Sequence, residues 1–379
     1  MQFAKHIIMV AGEASGDMHA AHLVQELKIL NPRLTFSGLG GNQMKKAGVE
    51  LYENLADLAV VGFVEVLKHL GEFKRIFNLI IEKVEETKAD AVILVDYPGF
   101  NLRLARALRK MNVKIIYYIS PQLWAWKESR IKLIREYTDK MIVFFKFEEE
   151  FYSKRGLTVD CVGHPLLDMI QIRLPREHVL ESAGFSKEKL TVAILPGSRQ
   201  REVEELLPVM LKAAQILFKE NKNMQFFVLR APTIEADLIS RYAVPSGFPI
   251  KILSDQTYDG INASDVCMVA SGTATLETAI LKKPMVVVYK TSFLTWCLAR
   301  LFIKIPYIGL VNVVAGKKIV PECIQFDATP EKVADALKNI FTDEIKIAEI
   351  KSQLAKAKSS LGAPGASQKA AQIILKTIA

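Results

Sequence analysis

Short runs of aliphatic and β-branched residues alternate along the chain with segments whose apolar residues recur at helical spacing. In the first half the runs are HIIMVAG, LTFSGLGG, AVILVDYP, KIIYYISP and KMIVFF. Helical patterns such as HAAHLVQELKIL and NLRLARALRKM lie between them. This alternation predicts α/β architecture with parallel sheets. After CVGHPLLD the pattern starts again with TVAILPGS, MQFFVLRAP, IKILSD, DVCMVASGT and PMVVVYKTS. The restart predicts two Rossmann-like domains, residues 1–165 and 166–360, with parallel sheets facing an interdomain cleft. The last segment, 361–379, contains the helical pattern SQKAAQIILKTIA and is expected to pack back on the first domain.

The length of 379 residues suits two domains of ordinary size. The net charge of +9 and pI of about 9.2 favour an anionic partner: nucleic acid, phosphorylated substrate or acidic membrane. Mean hydropathy is high at +0.18, yet no apolar run reaches the roughly 18 residues a spanning helix needs. The N-terminal MQFAKHIIMVAGEASGD reads as a first strand rather than a signal peptide. Cys161, Cys267, Cys297 and Cys323 form no CxxC pair, which fits a reducing compartment and predicts no zinc site.

Ligands of parallel α/β sheets sit beyond the carboxyl ends of the strands, and every candidate motif lies there. AGEASGD offers Glu13 and Ser15, with Ser15 or Asp17 as the expected helix cap. SGLGGNQM lacks the third glycine of GxGxxG, and no P-loop occurs, so a nicotinamide enzyme or P-loop NTPase is poorly supported. VILVDYPGFN ends a buried strand on Asp96, followed by a Tyr-Pro-Gly turn, with Asn101 near the next helix start as a candidate substrate contact. Asp96 reads as a general base or a substrate ligand, against the alternative of a turn carboxylate. SPQLWAWKESR sets Trp124 and Trp126 beside Lys127 and Arg130, as a sugar or acyl platform or as core. LPGSRQREVE places Ser198 and Arg199 before a helix, where open amides and a guanidinium suit phosphate. SGTATLE repeats that logic with Gly272 and Thr273, and Glu277 one turn further on could accept both ribose hydroxyls. Residues 62–77 and 293–314 are amphipathic and fit a membrane surface, a subunit interface or a core. His164 reads as a hinge or packing residue.

Together AGEASGD, GLGG, the Asp96 strand with Asn101, SPQLWAWKESR, VGHPLLD, LPGSRQREVE, SGTATLE and GLVNVVAG run in order across nearly the whole chain. The set resembles the lipid A disaccharide synthases, inverting GT-B glycosyltransferases. The resemblance implies transfer of 2,3-diacylglucosamine from UDP to the 6-hydroxyl of 2,3-diacylglucosamine 1-phosphate, without metal or cofactor. It implies a peripheral protein at the cytoplasmic face of the inner membrane and makes a homodimer plausible; no nucleic-acid partner is expected. It also marks Asp96 and Arg199 as essential and puts Glu277 and Asn312 in the nucleotide site. On that basis Gly272, Thr273 and Arg199 are expected to carry the diphosphate, Glu277 the ribose, and Asp96 the proton of the attacking hydroxyl. The rival readings are a UDP-N-acetylglucosamine 2-epimerase or another GT-B UDP-sugar enzyme, and a nucleic-acid binder. The last finds no clustered basic run with interleaved aromatics.

Overall fold

The computed structural model describes residues 4–54, 70–244, 247–292, 296 and 305–379. Half of the two amphipathic stretches, at 62–69, 293–295 and 297–304, lies outside the described residues. The chain divides into two compact units, Met1–Asp168 with Gly362–Ala379, and Met169–Leu361.

Unit 1 is built on strands β1 (His6–Ala11), β2 (Thr35–Gly40), β3 (Glu50–Asn54), β4 (Ala91–Val95), β5 (Lys114–Tyr118), β6 (Lys140–Val143) and β7 (Asp160–Cys161). They form one parallel sheet in the order 3-2-1-4-5-6-7. Its centre is fully buried: Ala91 to Val95 expose no surface, as a strand covered on both faces requires. Unit 2 has β8 (Leu190–Leu195), β9 (Met224–Arg230), β10 (Ile250–Ser254), β11 (Val266–Ala270), β12 (Met285–Tyr289) and β13 (Glu322–Ile324). These are again all parallel, in the order 10-9-8-11-12-13.

In each sheet the winding reverses once, at β1/β4 and at β8/β11, which opens a crevice at the carboxyl ends of those strands. The terminal helix Ala366–Ile378 packs on the helix Ala14–Leu30 of unit 1. The Asp168 carboxylate caps it, accepting from the Gly365 and Ala366 amides at 2.7 and 3.1 Å. His164 is buried against Phe144, Phe145 and His19 in an aromatic cluster, a packing role. Burial holds its imidazole well below the usual range and lowers that of His19 to about 4, so both rings are neutral near pH 7.

Candidate functional site

The β1/β4 crevice brings together the AGEASGD and VDYPGFN turns. Gly12 lies so close to the Tyr97 ring that a Cβ there would stand 2.4 Å from Cδ1. The first helix begins at Ala14, so Glu13 itself occupies the N-cap position and Ser15 falls within the first turn. The expected cap at Ser15 or Asp17 is therefore corrected. Asp17 turns instead to the neighbouring helix Asn42–Lys46, accepting from the amides of Gly41, Gln43 and Met44 at 2.8, 2.9 and 3.0 Å. The glycine-rich turn after β2 thus spends its amides on an internal carboxylate. Glu13 is half-buried, and its charge adds to burial in raising the Tyr97 hydroxyl pKa.

After β4 the backbone of Asp96 and Tyr97 is left-handed, with φ of 46° and 47°. Non-glycine residues enter that region at a cost, and such outliers cluster where function over-determines the backbone. The helix Pro98–Leu108 starts at the proline, with Tyr97 as N-cap, rather than beyond Gly99 near Asn101. Proline is well suited to the first helical position because its missing N–H has no partner there anyway.

Asn101, expected to contact substrate, is fully buried. Its Nδ2 donates to the carbonyls of Asp96 at 2.8 Å, Val95 at 3.2 Å and Val10 at 3.4 Å, across the ends of β4 and β1. It is a positioning residue for the Asp96 backbone. Tyr117 supports the same carbonyl, its hydroxyl donating to Asp96 O at 2.6 Å, and Asp96 N–H donates to Tyr118 O at 3.0 Å. Asp96 is half-buried at this rim.

In unit 2 the two turns of the β8/β11 crevice differ. Arg199 is exposed and is the N-cap residue of the helix Gln200–Glu220. The expectation of open amides beside it is corrected. Glu202, in the first turn, folds back and accepts from the Ser198 amide at 3.1 Å and from the Arg199 amide. Burial raises the Glu202 carboxyl pKa, and those amides and the Arg199 charge oppose the rise. Ser198 is exposed, and its carbonyl accepts from the Thr233 hydroxyl at 2.6 Å.

The helix Thr273–Ile280 is built otherwise. Gly272 is its N-cap with φ 155°, a Cβ there would meet nothing within 4 Å, no side chain caps the helix, and its first turn holds no acid. Glu277 projects from its second turn, half-buried, with the Tyr258 hydroxyl 3.5 Å from Oε1. Burial pushes the Glu277 carboxyl up to about 7, and the Tyr258 contact opposes that.

Asn312, in the short helix Leu310–Ala315, is fully buried. Its Nδ2 donates to Val320 O at 2.9 Å and Glu322 Oε1 at 2.8 Å, and its Oδ1 accepts from the Ile319 and Val320 amides at 2.8 and 3.1 Å. That uses the hydrogen-bonding capacity of the amide, so the Asn312 side chain staples the loop before β13. Tyr97, Tyr117, Glu202 and Tyr258 were not singled out in the sequence. Only Glu202 carries a signal, an acid three residues after a helix cap; tyrosines brought in from other elements carry none.

Two all-parallel units, each with its polar side chains gathered at the switch point of the sheet, define a GT-B-type protein. Solved structures share that fold. UDP-N-acetylglucosamine 2-epimerase from Neisseria meningitidis superimposes with a TM-score of 0.65 at 14% identity, covering 98% of this chain and 100% of that one. MurG from Acinetobacter baumannii gives 0.58 at 15%, covering 98% and 99%. The family model for lipid-A-disaccharide synthetase matches residues 7–377. The lipid-A-disaccharide synthase of Syntrophus aciditrophicus is 42% identical, covering 99% of this chain and 98% of its own. That of Geobacter sulfurreducens is 40% identical, covering 98% and 97%. This chain belongs to the lipid-A-disaccharide synthase family.

Proposed function

We propose that this chain transfers 2,3-diacylglucosamine from UDP to the 6-hydroxyl of 2,3-diacylglucosamine 1-phosphate, giving the β-1,6 disaccharide 1-phosphate and UDP. The first domain, residues 1–165, takes the acceptor, and the second, 166–360, takes the UDP-sugar. Asp96 removes the hydroxyl proton as that oxygen attacks the anomeric carbon from the face opposite UDP, inverting the centre. Glu13 and Ser15, on the turn beside Tyr97, contact the acceptor.

The donor is held at the β8/β11 turns. The uncapped helix start at Gly272 and Thr273 receives the diphosphate, with Arg199 and Ser198 beside it. The positive end of the helix and one guanidinium then stabilise the charge that builds on departing UDP, at about 3–4 kcal/mol per well-placed donor by analogy with oxyanion holes. Glu277 accepts hydrogen bonds from both ribose hydroxyls. The chain is a peripheral protein at the cytoplasmic face of the inner membrane, a reading supported by its acylated substrates and its pI of about 9.2. Its family also makes a homodimer the favoured assembly.

The observation that carries the reading is the hold on Asp96: a half-buried carboxylate on left-handed backbone, its carbonyl bonded by Asn101 and Tyr117. The test is to incubate the purified chain in detergent with both substrates and resolve the products. Disaccharide 1-phosphate with stoichiometric UDP supports the reading. Conversion of the donor alone to a second UDP-sugar would point to epimerase chemistry instead.

A further inference from the structure

Beyond β5 the chain runs from Ile119 to Lys127 before the short 3-10 turn Glu128–Arg130. Ile119 and Lys127, at either end of this strap, have φ of 73° and 54°. A β-branched residue in the left-handed region is a genuine outlier and persists only where its surroundings hold it there. They do. Glu148 is only 3% exposed. It accepts from the Trp124 indole N–H at 3.3 Å and from the Phe144 and Phe145 amides at 3.3 and 3.2 Å. Ser120 Oγ and the Tyr152 hydroxyl, 2.9 Å apart, tie down the start of the strap.

This scaffold presents three side chains. Trp126 is 39% exposed, unusual for an indole. Lys127 Nζ stands 4.4 Å from its ring centroid and Arg130 Cζ 5.7 Å. Among the described residues neither cation has a carboxylate at salt-bridge distance; Glu128, between them in sequence, pairs with Arg155 at 2.6 Å. Two like charges held beside one ring without an anion make a seat for one.

The patch also shares the rim that carries Asp96. The Tyr117 hydroxyl donates to Asp96 O. Burial and then the Asp96 charge push that hydroxyl pKa up, while the Arg130 charge opposes them, so both charged groups act on one phenol. β4 and β5 are neighbours in the sheet.

We propose that Trp126, Lys127 and Arg130 form the subsite for a phosphomonoester on the acceptor sugar, the indole covering the apolar face of the ring while the two cations bind the phosphate. The inference rests on the transfer reaction proposed above: the acceptor presents its hydroxyl to Asp96 and its phosphate, across the ring, to the strap.

The test uses the full chain in detergent micelles, with 2,3-diacylglucosamine 1-phosphate and the same sugar lacking the phosphate as probes. Equilibrium dialysis without donor reads acceptor binding independently of turnover. The Lys127→Gln/Arg130→Gln variant is expected to bind the phosphorylated probe about 30-fold more weakly, the scale of one to two charge-assisted hydrogen bonds. Its affinity for the probe without phosphate should match the parent's, as should its UDP affinity and melting curve. Lys127→Arg/Arg130→Lys should recover most of the loss, which a merely structural role would not predict. Equal binding of the phosphorylated probe by parent and double variant overturns the proposal. So does a double variant that binds the probe normally but no longer sediments with phosphatidylglycerol vesicles, which would make the patch a bilayer contact. If the parent forms no disaccharide while the dialysis difference stands, the transfer reaction fails and the phosphate subsite survives.

Discussion

The two switch points share a topology and solve different problems. At β1/β4 the chain stores strain: two consecutive left-handed residues are held by a buried amide and a phenol, and Asp96 is fixed at the rim. At β8/β11 it distributes capping. One helix start is closed by Glu202, and the other, at Gly272, has no side-chain cap. Asp17 closes a further helix start, after β2. A helix N-terminus is therefore not a phosphate seat by default. Of the two helix starts at β8/β11, the one at Gly272 and Thr273 is the one with no acid in its first turn.

The largest expected effect tests the strained side. Asp96→Asn keeps the shape and removes the proposed base, so turnover should fall by about 10²- to 10⁴-fold in a disaccharide assay. Full activity would remove Asp96 from the role. On the donor side, Arg199→Ala should lower turnover and UDP affinity together by roughly 10- to 100-fold, the scale of one charge-assisted contact. Undiminished UDP binding by calorimetry would confine Arg199 to the transition state or exclude it.

A smaller effect concerns pH. Glu277 lies at about 7, above the usual carboxylate range, because it is buried. Ribose hydroxyls donate to the ionised form, so donor affinity should rise several-fold between about pH 6 and 8 and level off above, once the proton is gone. A nucleotide sugar is the right probe, since its diphosphate does not titrate near neutrality. Glu277→Gln should bind more weakly with a flat profile, and an unchanged slope would assign the titration elsewhere, Glu202 being the other carboxylate of the β8/β11 turns raised by burial. The smallest effect sharpens the contrast between the two helix starts. Glu202→Gln should change UDP affinity by no more than about threefold, since a neutral amide can keep the cap. A tenfold gain would mean that Glu202 had been competing with the diphosphate for those amides.

Much of this was legible in the chain because central strands of parallel sheets are continuous apolar runs, and the turns that follow them hold the site. β3, β7 and β13 carry no such signal. ELYEN is half-polar, and the other two strands are two and three residues long, too short for any period. Asp96, Gly272 and Glu277 could be picked out because each follows or lies close to a buried run. The roles of Asn101 and Asn312 could not. An asparagine near a ligand turn reads as a ligand until its partners are known, and here both amides bond to protein groups. Nor does sequence spacing reveal that Glu148 holds Trp124, since their contact depends on how two different turns leave the sheet.

The division of labour between the crevices is the central claim, and calorimetric titration of UDP into the Asp96→Asn variant tests it most directly. A dissociation constant within about twofold of the parent's, in protein that has lost turnover, is what chemistry at β1/β4 and nucleotide binding at β8/β11 require. Loss of UDP binding in that variant would contradict the account.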